Sequence, residues 1–292
     1  MEQLYDKILL LFNIPIYAIL IPLEIVLSNA RSLKFYSFKE TLANVYLNLV
    51  NAGIDFILRT FIALSVLSFF FSLHFNIEYP PVLYWFLLII FEDFLFWVEH
   101  FVDHNVRLFW AVHVTHHSSD EYNLTTGFRS SVFMPVYRFM YFIPLALLNF
   151  KPVDIFFAYA ITQIFGILVH TRAVKKLPAV IEYIFVTPSH HRVHHASNIA
   201  YLDKNMGMLL IIWDRIFGTF QEEMDHEKPV YGLTKPLENP HHPTHIIFHE
   251  WKEIAKDMKR KIPMREKLKY LLNPPGWSHD GSTLTARQLQ KK

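Results

Sequence analysis

His113, His116 and His117 stand in the order HVTHH, and His191, His194 and His195 repeat it as HRVHH. Upstream lies a further pair, His100 and His104, in EHFVDH. On a helix, residues three and four apart share a face, so each group is expected to aim two or three imidazoles at a single centre. The chain has no cysteine, which excludes disulfides, thiolate haem ligation, iron–sulfur clusters and Cys-type zinc sites, and leaves imidazole and carboxylate as the only strong metal ligands. Eight clustered neutral imidazoles exceed what one tetrahedral zinc needs. Two first-row ions with open positions would use them all, and iron is the expected metal.

Other histidines are read differently. His170 ends an apolar run where a missing ligand is expected to come from. SHHRVHH lets His190 or His191 open the second triplet, but only His191 repeats the register of His113, so His190 is expected beside the ligands rather than among them. His241, His242, His245 and His249 are interrupted by Pro240 and Pro243, so no continuous helix is expected to present them. His74 and His279 read as loop or surface residues.

The elements that must position these groups are apolar. The 292 residues are 52% hydrophobic and 16% aromatic, with mean hydropathy +0.20 and 18% charged residues, more apolar surface than one soluble core normally carries. Ionisable residues at a bilayer boundary are costly unless something satisfies them, and a metal would. Residues 8–28 read as a retained anchor rather than a signal peptide. Runs at about 56–75 and from Pro81 to about Phe101 form a hairpin around Pro80 and Pro81. Runs at 132–149 and 153–170 form a second pair joined by Phe150-Lys151-Pro152. The expected fold is all-α: an integral-membrane helical bundle with four or five membrane segments in hairpins, under a histidine-rich helical cap. One domain is expected over 1–292, with its catalytic core at about 80–222. An amphipathic stretch at 206–220 and a charged helical pattern at about 246–271 follow the bundle.

Charge sets the expected orientation. Residues 226–292 hold 13 Lys/Arg against 7 Asp/Glu, residues 1–225 hold 15 against 19, and no Lys or Arg lies between positions 60 and 106. By the positive-inside rule the first loop, the histidine motifs and the basic tail at about 226–292 share the cytoplasmic side of a multi-pass protein. The tail interleaves acids and carries no recognition motif, so no nucleic acid is expected as a partner.

HxxxH followed by two HxxHH motifs around hydrophobic hairpins resembles the fatty acid hydroxylase and sterol desaturase superfamily of integral-membrane di-iron enzymes. The resemblance covers residues 80–222. The strings HHSSDEYNLTTGFRSS at 116–131, NIAYLDKNMGMLLIIWDRIFGTFQEE at 198–223 and YGLTKPL at 231–237 resemble its alkylglycerol monooxygenase-like bacterial members. The resemblance implies iron ligation by His100, His104, His113, His116, His117, His191, His194 and His195, with His170 added. It places Asn123, Arg129, Asp203, Lys204, Asn205, Trp213 and Asp214 at positions that brace helices or shape the cavity. The chain departs from the pattern at Phe101, where an Arg commonly follows the first His, and at Met206, where Tyr is frequent; Glu99 and Asp103 are additional acids beside the first motif.

The function expected is an O2-dependent di-iron lipid hydroxylase acting on an unactivated C–H bond of an ether lipid, fatty acyl or sterol-like substrate. The same centre would serve a desaturase, because the outcome depends on where the substrate carbon sits. No catalytic side chain beyond the metal ligands is required. Two irons, O2 and an external reductant (tetrahydropterin, ferredoxin or a cytochrome) are the expected cofactors, and a membrane lipid and a separate electron donor the expected partners. A membrane zinc hydrolase would call for a catalytic carboxylate, and no HExxH occurs. A metal carrier would place ligands along a path inside spans rather than in triplets on one side.

Overall fold

The computed structural model describes residues 2–292, with side chains from residue 15 onward. It is helical throughout; among the described residues no strand forms, and the only β pairing is an isolated bridge between Phe185 and Leu210. Helix α1 (Glu2–Ala30) contains the expected anchor at 8–28, whose side chains before residue 15 lie outside those described.

Among the described residues, two helices are long and apolar enough to cross a membrane. Helix α2 (Phe38–Ser72) has 35 residues and a mean hydropathy of 1.9, and only 11% of its most apolar window is buried. It runs on through a wide π turn at Arg59–Ala63, so it begins well before the run expected at 56–75. Helix α3 (Pro81–Asn105) has 25 residues and a hydropathy of 1.8. At about 1.5 Å per residue both exceed the roughly 30 Å of a bilayer's hydrocarbon layer. Pro81 occupies the first helical position of α3, where its missing N–H costs nothing. The remaining apolar runs are shorter. The stretch expected at 132–149 is broken by Pro135 and Pro144 into Met134–Tyr137, Arg138–Phe142 and Ile143–Leu147, while α4 (Arg107–His117) and α5 (Pro152–Leu168) stay intact.

The polar residues of α3 explain its place. Glu92, Asp93, Glu99, His100, Asp103 and His104 are all buried, and their spacing of three, four and seven puts them on one stripe of an otherwise apolar helix. That stripe faces the protein. Below it, Leu67, Leu88, Phe142, Leu145, Phe150 and Ile155 form the apolar core that joins α2, α3 and α5.

Beyond the bundle the chain makes short helices: α6 (Ala179–Ile184), α7 (Pro188–His194) and α8 (Ile212–Phe217). Only this last piece of the stretch expected at 206–220 is helical: Asp203 and Asn205 take left-handed backbone (φ 54° and 55°), and no helix resumes before Ile212. The pattern expected at 246–271 divides at Pro263 into α9 (Pro243–Met258) and α10 (Met264–Leu272), and α11 (Ala286–Leu289) closes the chain. Arg107 fastens this cap to α4, donating to Glu250 at 2.7 Å and Asp257 at 2.6 Å.

Candidate metal centre

The α3–α4 corner and α7 bring the three motifs together. Val106 alone separates α3 from α4, with extended backbone (φ −125°, ψ 112°) that turns the chain sharply. His113, His116 and His117 are thereby folded back onto His100 and His104. Thr187 caps α7 and Pro188 takes its first position, a strong local start signal for the helix that carries His191 and His194.

Nine histidines converge, in two groups. His100, His104, His113, His117 and His194 form one; His116, His170, His191 and His195 form the other, and within each the candidate ligand atoms lie within 4.8 Å of one another. Each triplet gives two rings to one group and its third to the other. Successive helical residues turn by about 100°, so i and i+4 lie about 40° apart while i+3 and i+4 diverge by about 100°. His113 with His117, and His191 with His195, therefore stay together, while His116 and His194 cross to the opposite group. His100 and His104 join the first group and His170 the second. The groups adjoin, with the rings of His117 and His195 stacked at 4.5 Å.

The outer nitrogens fix which way the lone pairs point. His100 Nδ1 donates to the Met206 carbonyl at 2.7 Å, His104 Nδ1 to the Asp203 carboxylate at 3.1 Å, and His194 Nδ1 to the Lys204 carbonyl at 2.9 Å. In the second group His116 Nδ1 donates to the Arg129 carbonyl at 3.0 Å and His170 Nδ1 to the Gly166 carbonyl at 2.7 Å. A neutral imidazole has a single N–H, so each of these rings presents a bare Nε2 to the interior. His104 Nε2 and His194 Nε2 are buried with no hydrogen-bond partner. Burial pushes the imidazoles of His113, His117, His170, His191, His194 and His195 well below their usual range, and that of His116 down to about 4. Neutral, buried rings with inward lone pairs are the donor set a divalent transition metal requires.

The remaining expected residues brace this arrangement. Arg129, fully buried, donates to Glu40, Asn44, the Thr115 carbonyl and Ser118. Asn123 caps the turn Leu124–Phe128 and donates to the Phe35 carbonyl. Asn205 bridges the His190 and Gln221 carbonyls. Asp214 accepts from Met206 N, Gly207 N, Trp97 and Thr219, and Trp213 donates to Asp93. His190 stands outside both groups, its Nε2 3.1 Å from Glu182. His245 and His249 do lie together on α9, whose first residue is Pro243, but neither belongs to a metal group.

Sequence reasoning missed three supports. Asp93 holds Leu209 N and Leu210 N; Glu24 of α1 accepts from Tyr36, Thr171 and Leu124 N; Glu40 of α2 pairs with Arg129 at 2.7 Å. Each is an acid inside an apolar helix, and that was the available signal.

A cavity of ≈ 580 Å³ reaches His104, His117, His194 and His195, and so touches both groups. Its outer wall comes from residues 232–239 and from α9. A reacting group and a small oxidant would both have room there.

Residues 85–219 match the family model described as fatty acid hydroxylase. The chain is similar to the alkylglycerol monooxygenase of Homo sapiens, 38% identical over 207 residues that make up 70% of this chain and 44% of that protein. It is similar to the Caenorhabditis elegans alkylglycerol monooxygenase at 35% identity over 204 residues, 66% of this chain and 39% of the other. An ornithine lipid hydroxylase of Rhizobium tropici is 28% identical over 159 residues, 54% of this chain and 47% of that protein. The chain thus spans less than half the length of these relatives. No solved structure matches it.

Proposed function

We propose that this chain, whose residues 85–219 match the fatty acid hydroxylase family model, is a membrane-bound lipid monooxygenase of that family whose nine converging histidines hold two irons. The observation that carries the reading is the division of those histidines into two buried groups whose fixed lone pairs meet in the interior. His100, His104, His113, His117 and His194 hold one iron; His116, His170, His191 and His195 hold the other. Bound there, the irons supply O2 activation for insertion of an oxygen atom into an unactivated C–H bond. The relatives named for alkylglycerol and ornithine lipid point to a lipid with a polar headgroup as substrate.

The chain's own residues do the rest. Met206, Asp203, Lys204, Arg129 and Gly166 hold Nδ1 protons away from the site, so the rings are oriented before any ion arrives. Burial keeps competing water out, and the cavity places a substrate carbon against both groups at once. Helices α2 and α3 cross the bilayer, α1 and α5 with the broken 134–147 segment complete the membrane part, and the histidine region and the basic cap face the cytoplasm. The whole is one domain with its core at about 80–222. A separate reductant supplies the electrons.

Elemental analysis of the detergent-purified protein tests the metal. About two irons per chain are expected, and one zinc or no stoichiometric metal after anaerobic handling would overturn the proposal. Turnover of ether and acyl lipids under labelled O2 then separates the reactions: label in an alcohol product supports the hydroxylase, and an unlabelled alkene would assign a desaturase.

A further inference from the structure

The end of helix α6 meets the start of α8, and both leave their outer faces uncovered. Val186 N donates to the Leu209 carbonyl at 2.9 Å and Ile211 N to the Ile184 carbonyl at 3.1 Å. Arg215 of α8 donates to the Glu182 carbonyl and lies 4.7 Å over the Tyr183 ring. None of the residues of α6 is buried. Val180 is 72% exposed, Tyr183 64%, Ile216 62% and Phe217 51%, with Ile184 and Ile212 exposed beside them.

The charged side chains of both helices are occupied elsewhere. Glu182 accepts from Leu177 N and Thr187 and pairs with His190. Asp214 is buried and fully hydrogen-bonded. Arg215 stacks at 3.8 Å on Phe220. What remains exposed on the two helices is apolar, more than a water-facing cap of this size normally displays.

We propose that this joined face of α6 and α8 seats in the interfacial layer of the bilayer, as a second membrane contact beside the histidine groups. The inference rests on the reading above that α2 and α3 cross a bilayer. Its occupant is identified by continuity and charge. Phe217 stacks on Trp97 at 4.5 Å, and Trp213 meets Phe94 at 4.9 Å. Phe94 and Trp97 belong to α3 and lie just before His100, so the patch prolongs the apolar side of a spanning helix. Lys175 and Lys176, both exposed, precede α6, where the ammonium groups meet anionic headgroups while Val180 and Tyr183 reach the acyl boundary. A second copy of the chain would cover the apolar area but give no role to the lysine pair. The seat holds α7, which follows α6 directly, at headgroup depth, and a lipid tail reaches the histidines there without crossing water.

The chain has no cysteine, so single labels are unique. Val180→Cys and Ile216→Cys, each carrying a polarity-sensitive fluorophore, are compared in nanodiscs of mixed neutral and anionic phospholipid. Phe61→Cys on α2 serves as the spanning reference and Ser282→Cys as the aqueous one. Positions 180 and 216 are expected to emit blue-shifted light, to be quenched by lipids spin-labelled near the headgroup, and to show iodide quenching severalfold below position 282. Iodide quenching equal to position 282 would overturn the proposal. A blue shift with self-quenching between chains and no quenching by spin-labelled lipid would overturn it in favour of contact between copies. Should position 61 itself escape spin-labelled lipid, the spanning reading falls and the proposal with it; failure at 180 and 216 alone sinks only the interfacial seat.

Discussion

His170 Nε2 lies 3.2 Å from His116 Nε2, while the two Nδ1 protons go to the carbonyls of Gly166 and Arg129. Neither ring has a second proton to offer, so two lone pairs face each other in a buried site. A cation between them turns that repulsion into ligation. Removing metal is therefore expected to destabilise the fold: at free metal near 100 times Kd, binding contributes about 2.7 kcal/mol. Melting curves of chelated and reloaded protein check this, and identical curves would contradict it.

His116 and His117 are neighbours in sequence but belong to different groups. His116→Ala and His117→Ala are each expected to lose about one of two ions, because a four- or five-histidine group tolerates no ready substitute. Activity is expected to vanish in both. Elemental analysis of the pair decides the point, since loss of both ions in either variant would mean one coupled site rather than two.

Much of this was written in the sequence because the requirement is local. HxxHH on a helix fixes ring directions, and His100, His104 and both triplets could be read without a fold. What periodicity alone did not settle was the partition: His116 and His194 go to opposite groups only because α4 and α7 face each other across the site. His170 stands alone in sequence and is drawn in by tertiary packing. Two of the expected apolar runs were legible as helices long enough to cross a membrane, but Pro135 and Pro144 broke another, and the π turn at Arg59–Ala63 let α2 continue where a shorter helix was expected.

Gly127 packs on His170: a Cβ built there would lie 3.1 Å from His170 Nδ1 and 3.2 Å from the Ile167 Cα. The backbone atom cannot yield, so in Gly127→Ala the imidazole must shift. Its bond to Gly166 is then strained, and a loss of metal affinity of about 10- to 100-fold is expected, the range typical for disturbed support of a ligand. Competition with a chelator measures it. The far group, with His100 and His104, should be unaffected.

Among the described residues, Asp203 is the one carboxylate that accepts a hydrogen bond from a clustered histidine, His104. Its φ of 54° is a conformation that Asn also tolerates. Asp203→Asn therefore removes the charge while keeping the backbone. Metal affinity is expected to fall by about 10-fold with little change in melting temperature, whereas Asp203→Leu should lose both, because a branched apolar residue resists this backbone. Equal melting losses in the two variants would assign Asp203 to the fold alone.

Acid should unfold the metal-free protein through these same rings. Burial pushes His116 down to about 4, and His113, His117, His170, His191, His194 and His195 well below their usual range. In the unfolded chain each titrates near pH 6.5. Above that value both states are neutral and stability is complete. As pH falls, the unfolded chain takes up protons that the folded one refuses, and stability is lost from about pH 6.5 down toward about 4. The melting temperature of chelated protein is expected to be level from about pH 8 to 7 and then to drop steeply, since several rings contribute together. Replacing His116 by Asn removes one of them and should shallow the slope; an unchanged slope would mean that His116 titrates alike in the folded and unfolded chain, and a flat profile down to about pH 4 that all of these rings do.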